Sequence, residues 1–358
     1  MASLTKKERV LAVLNGEIPD RVPIFDYLIH DGVFNHFGAE SIPLRSDKHH
    51  IAACAKCLDL CHPLGGLPRE PGRIINDDGS KTIVERWMSW NIPAPSQSLL
   101  TDSDGKIKEE LEKQIEQCES RIGEAKPDAK KDAVENARSL EPYTGDMVYI
   151  TAWACTALPY GNTERRMLAY ADYPELVEKK MRLDNILTLE RLQATAYKEI
   201  SPVAIIWDDI AYKNRLFYPP DLLERLYFPA LAEICGLFHS RDIRVLFHSD
   251  GDVTSVLPNL IDCGIDGLNP VETSAGMNYA DIKRDYGDKI TIVGGMDAVD
   301  VLALGSIDEV AAETKRLINI AGKSGGLIAA SSSGQIDMSM PAENVVAFYE
   351  TVWDYGRY

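Results

Sequence analysis

The sequence predicts an α/β fold in which parallel strands present chemistry at their carboxyl ends. Three observations lead there. From residue 146 onward, short apolar runs alternate with helical patterns, and such alternation builds a parallel sheet. Apolar runs end in polar residues, as in Val245-Leu246-Phe247-His248-Ser249-Asp250, and barrels of this class place their sites at the strand tips. No Gly-x-Gly-x-x-Gly follows the first strand, which favours a closed barrel over an open, doubly wound sheet.

The elements follow in order. Residues 5–15 form an amphipathic helix, with Thr5 and Glu8 at capping-box spacing. Residues 22–27 form a strand that tolerates Pro23 near its start. Helices are expected over 30–37 and 48–61. Asp77-Asp78-Gly79 is a turn signal between two strand-like runs, a β-hairpin within 74–92. The charged stretch 106–140 reads as an exposed helical excursion. Strands then fall at 147–152, 203–207, 243–247, 265–268, 290–293 and 327–330. Helices fall at 163–197, 220–240, 253–262, 279–286, 307–321 and 342–355. Seven parallel strands are visible; the eighth of a closed barrel is not evident in the irregular first half.

The chain has 358 residues and a net charge of −17. That length suits a barrel of about 250 residues carrying insertions. The acidity argues against nonspecific nucleic-acid or anionic-membrane binding. No run of about 18 apolar residues is present, and residues 1–9 are polar and basic without an apolar run behind them. The expectation is a cytoplasmic protein with no membrane contact. Its seven cysteines are an odd number, read as reduced thiols. Cys54, Cys57 and Cys61, with His62 beside them, offer either metal ligands or a buried helix stripe, and the stripe is the commoner use of this spacing.

Candidate functional residues sit at the strand tips. His248, Asp250 and Glu272 form a mixed nitrogen and oxygen set that zinc accepts with one position left open. The alternative is a histidine hydrogen-bonded to an acid with no metal. Asp208 is preferred over Asp209 as a general acid, and His248 is the other candidate catalytic residue. Asp26, Tyr27, His30, Trp153, Trp207, Asn269, Asp297 and Ser333 are candidates to contact substrate. Tyr27, Phe34, Trp153 and Trp207 would give it apolar walls. Gly294-Gly295 admits either close ligand approach or a tight turn. Residues 331–334 could take a phosphate or carboxylate, although nothing basic accompanies them. Cys263 stands at the amino end of its strand and is excluded.

Several stretches resemble proteins of the uroporphyrinogen decarboxylase superfamily. They are Thr5-Lys6-Lys7-Glu8-Arg9-Val10, Asp20-Arg21-Val22-Pro23, His248-Ser249-Asp250-Gly251, Gly264-Ile265-Asp266-Gly267-Leu268-Asn269-Pro270, Gly294-Gly295-Met296-Asp297 and Pro341-Ala342-Glu343-Asn344-Val345. The resemblance spans nearly the whole chain. It implies one (β/α)8 TIM barrel over residues 1–358, with a β-hairpin and a helical insertion within 74–142.

Two chemistries follow from it. Tetrapyrrole decarboxylases carry an arginine-containing Met-Arg-Gln-Ala-Gly-Arg-Tyr stretch after the first strand. This chain has Phe25-Asp26-Tyr27-Leu28-Ile29-His30-Asp31-Gly32 there, with two acids and no arginine. Acids suit a polycarboxylate poorly. The other branch passes methyl groups to or from a corrinoid on a partner protein, through a zinc held by His-x-Cys and a later cysteine. Here the first motif reads His248-Ser249-Asp250, and no cysteine stands near Gly334. Oxygen ligands make a harder Lewis acid. The resemblance therefore implies transfer from an oxygen-linked small-molecule methyl donor, aromatic or otherwise, to a corrinoid-binding protein, with Zn2+ as metal; a homodimer is compatible with it. Uroporphyrinogen decarboxylation in porphyrin biosynthesis is the alternative, and a non-catalytic binding protein the third reading.

Overall fold

The computed structural model describes residues 3–43, 46–62, 69–77, 79–86, 89–92, 105–124, 127–156, 163–333 and 335–358. Asp78, residues 87–88 and Gly334, used above, lie outside them.

Local chemistry sets the helix ends. Thr5 caps Lys6–Leu14: its side chain accepts from the Glu8 N–H while the Glu8 carboxylate reaches back to the cap. Ser306 and Glu309 repeat the device on Ile307–Leu317. The expected helix over 48–61 stops at Cys57. Leu58 turns to an extended conformation, and Leu60–Cys61 is a strand. Lys56 and Asp59, three residues apart, keep a helical spacing across that break and hide it. Cys54 and Cys57 thus lie on the helix and Cys61 on the strand, all buried.

Six parallel strands form the main sheet. Their order is Leu327–Ser331, Thr291–Met296, Gly267–Asn269, Arg244–His248, Val203–Trp207, Ala152–Ala154. A parallel pair joins Leu60–Cys61 to Val148–Tyr149. Single parallel bridges link Ile24 to Ala329 and Phe25 to Leu60. The expected strand over 22–27 is present as these bridges and not as a ladder. Pro23 has no N–H to give, though its carbonyl accepts from Ala329.

Two apolar clusters alternate along the strands. Val203, Ile205, Leu246, Val293 and Ile328 belong to one, with Phe25 and Tyr27. Ala204, Ile206, Val245, Phe247 and Ile292 belong to the other. Side chains alternate along a strand, so each strand buries both faces. The first helix supplies Val10, Val13 and Leu14 to the smaller cluster. It lies at the strands' amino ends, where Asn15 accepts from Arg244 and the Val13 carbonyl from Thr291.

The insertion differs in detail from the expectation. Gly72–Ile75, Lys81–Val84 and Ser89–Ile92 make a three-stranded antiparallel sheet. The charged stretch is two helices, Lys106–Arg121 and Ala129–Thr144. The first is not wholly exposed: it buries Ile107, Ile115 and Cys118 and packs on Pro174–Thr195.

Asp59 ties the amino-terminal half together. It is fully buried. Its carboxylate accepts from Arg9 at 2.7 Å, from Arg21 at 2.9 Å twice, and from the Ile24 N–H at 2.9 Å. Removing one member of such a group strands the other charges. We expect Asp59→Ala to lose about 3–5 kcal/mol in urea unfolding; a loss under about 1 kcal/mol would mean the arginines behave as surface groups.

Candidate metal centre

Register builds the site. His248 pairs with Trp207 on one neighbouring strand and with Asn269 on the other. All three end their strands. Residues two steps back, Ile205 and Leu246, belong to the inner apolar cluster, so Trp207 and His248 extend its rows toward the carboxyl ends.

His248 is buried and directed. Its Nδ1 lies 2.8 Å from Asn269 Oδ1. An amide oxygen only accepts, so Nδ1 donates and Nε2 is the nitrogen turned toward the acids. Nε2 stands 3.9 Å from Asp209 and 3.8 Å from Asp250. One atom each from Asp209, His248 and Asp250 lie within 4.8 Å of one another. Asp209 is fixed by the Asp250 N–H, which donates to it at 3.0 Å. The Asp250 side chain is half-exposed, yet its Oδ1 is shut from solvent and has no hydrogen-bond partner. Its carboxyl is pushed up, first by burial and then by Asp209 and Glu272, with His248 opposing. Acids crowded round an imidazole nitrogen suit a divalent cation.

Two expectations change here. Glu272 is not one of the three clustered donors: its carboxylate accepts from the Gly251 N–H at 2.6 Å and from Ser274 Oγ at 3.0 Å. Asp209, not Asp208, joins the group. Strand parity carries the signal, since residues 203, 205 and 207 share a face and 209 continues it. Asp208 points the other way. It is buried and accepts from the Thr156 N–H and O–H and the Tyr227 O–H. Burial raises its carboxyl to about 7 against those bonds.

The other candidates divide. Tyr27 and Trp207 stand with His248, their ring centres 5.9 Å and 4.8 Å from the imidazole. Asn269 orients it. The rest have local partners. His30 caps Asp31–His36 and bonds the Met340 carbonyl. Trp153 is 48% exposed under the Arg191 guanidinium. Asp297 caps a helical turn and accepts from Thr273. Ser333 donates to the Gln335 carbonyl. Gly294 has a φ of +136°, and a Cβ there would come 2.7 Å from the Val271 nitrogen, so it accommodates a neighbouring strand end. His62 follows the cysteines in sequence. Its ring lies 5.1 Å from Trp207 and 5.7 Å from Tyr27, and it follows a strand end as His248 ends one. The three cysteines join no metal-competent group among the described residues.

Comparison with known proteins follows the fold. Residues 163–355 match the family model described as Uroporphyrinogen decarboxylase (URO-D). No curated protein matches the chain. Among solved structures, a methyltransferase from Methanosarcina mazei superposes with a TM-score of 0.64 at 19% identity, over 99% of each chain. At that identity the likeness is one of fold.

Asp26 sits beside Tyr27 but faces away from the metal-competent group. It accepts from the Ser331 N–H and O–H and the Tyr349 O–H. Burial raises its carboxyl from 3.8 to about 7. Between those values the folded chain holds a proton that the unfolded chain has lost, so stability falls as pH rises through the window and levels above it. Asp26→Asn removes that dependence. Its melting temperature relative to wild type should climb between about pH 5 and about pH 8; parallel melting curves would count against a buried, protonated Asp26.

Proposed function

The chain belongs to the uroporphyrinogen decarboxylase family, and from that premise we propose a metal-assisted methyltransferase. It takes a methyl group from a methyl ether, aromatic or similar, and delivers it to the corrinoid of a partner protein. We read residues 1–358 as one (β/α)8 barrel with an insertion at 74–142. The Ile24–Ala329 and Phe25–Leu60 bridges support closure: they link Leu327–Ser331, at one end of the strand order, to Leu60–Cys61, whose partner Val148–Tyr149 lies just before Ala152–Ala154 at the other end. The alternating inner cluster is what a filled barrel interior needs.

The observation that carries the reading is the Asp209, His248 and Asp250 group beside Trp207. One imidazole nitrogen and two carboxylate oxygens suit zinc with a position to spare. Bound there, zinc would supply Lewis acidity to the ether oxygen. The protein's own work is orientation. Asn269 holds the His248 ring, the Asp250 N–H holds Asp209, and Trp207 offers an apolar wall. The methyl group would leave without its bonding electrons, which stay on the oxygen and take up a proton from water, while the partner's reduced corrinoid would supply the electron pair of the new bond.

Electrostatics weigh against the decarboxylase alternative, though not by the residues first considered. Asp26 and Asp31 do not argue the point: Asp26 is tied to Ser331 and Tyr349, and Asp31 pairs with Arg86. The acids that bear on it are Asp209, Asp250 and Glu272, which reinforce one another at Asp250. A substrate rich in carboxylates would meet repulsion there.

Metal analysis and titration test the reading. We expect one zinc per chain, with affinity lowered by at least about 100-fold in His248→Ala and by about 10–100-fold in Asn269→Ala, whose role is to orient a ligand. Wild type should methylate cob(I)alamin from some member of a methyl ether panel. Wild type that binds no zinc and transfers no methyl group would end this reading.

A further inference from the structure

The Tyr27 side chain carries a hydroxyl with nothing to bond. The residue is 2% exposed, and its oxygen is shut from solvent without a hydrogen-bond partner. Buried polar groups are almost always paired, and an exception asks for a cause. Phenylalanine would pack against Phe25 and the inner cluster equally well and leave no donor stranded.

The surroundings point to a ligand. The Tyr27 ring stands edge-on to His248 at 5.9 Å and lies 5.2 Å from Trp207. Of the polar atoms nearby, His248 Nδ1 is committed to Asn269 and Asp209 accepts from the Asp250 N–H, while Asp250 Oδ1 is, like the Tyr27 oxygen, without a hydrogen-bond partner. Burial first, with the nearby acids Asp250 and Asp209, holds the phenol in its neutral form. It is therefore a hydrogen-bond donor in want of an acceptor, beside the metal-competent group.

We propose that Tyr27 donates a hydrogen bond to the oxygen of the methyl donor bound beside His248, and so selects oxygen-linked methyl groups over sulfur- or carbon-linked ones. The inference rests on reading the site as one for methyl ethers. An ether oxygen accepts a hydrogen bond, a thioether sulfur accepts one weakly, and a methylene not at all. The bond strengthens as the oxygen gains charge during departure.

The test compares anisole, thioanisole and ethylbenzene, titrated into metal-free and zinc-loaded full-length protein by calorimetry. Wild type should bind anisole about tenfold tighter than ethylbenzene, the worth of one hydrogen bond, with thioanisole between them. Tyr27→Phe should bind all three alike, keep the zinc affinity of wild type, and melt at the same temperature or higher. A preference for anisole that survives in Tyr27→Phe, or wild type that shows none, overturns the proposal. Failure of wild type to bind zinc sinks the metal reading separately, since the metal-free anisole comparison still decides on Tyr27.

Discussion

Phe247 and His248 pair with Ile206 and Trp207 on one side and with Leu268 and Asn269 on the other. Residues opposite one another on neighbouring parallel strands face the same way, and one step of slippage would turn every side chain over. The register therefore decides which polar residues meet. It sets an indole, an imidazole and an amide in a row across three strand ends. The row needs no loop to assemble it, which is why His248 can be both buried and directed. Leu246 and Ile205, one pleat below, fix the register by burying on the same face.

Loops then add the acids. Gly251 has a φ of +82°, and a Cβ there would lie 2.6 Å from the Tyr212 nitrogen. Only glycine fits both the dihedral and the space. Its N–H donates to Glu272 while Asp250, one residue back, donates its N–H to Asp209. Three successive strand ends are thus stitched by two backbone amides. Carboxylates held this close repel, and burial sharpens the repulsion. The chain bears that cost where a cation would relieve it.

Much of this is legible in the residues. Alternating runs from residue 146 onward give the strands their order, and capping boxes at Thr5 and Ser306 mark helix starts. His248 and Asp250 stand out because a polar pair at period two ends an apolar run. The Leu60–Cys61 strand is hidden, since a two-residue strand has no period. The short Ala211–Tyr212 and Arg215–Leu216 hairpin escapes for the same reason. Glu272 was placed among the ligands because sequence order says nothing of which way a loop carboxylate turns. Its capture by the Gly251 N–H is a tertiary event.

One regularity explains why acids at strand ends divide between two jobs. Asp26 and Asp208 occupy equivalent settings. Each accepts an N–H and an O–H from a hydroxyl residue at the end of an adjoining strand, Ser331 or Thr156. Each also accepts a tyrosine O–H from a helical segment, Tyr349 or Tyr227. Both are buried, and both carboxyls are raised to about 7. The device fastens a strand to its neighbour and to the helix layer through one side chain. In each case the next residue, Tyr27 or Asp209, lies on the opposite face beside His248. Parity along the backbone thus separates holding from chemistry. The outward acid is fully satisfied by protein donors and has no capacity left for a ligand. The inward residues face the site: Tyr27 is left without a partner and Asp209 joins the metal-competent group, which is the condition a binding site requires.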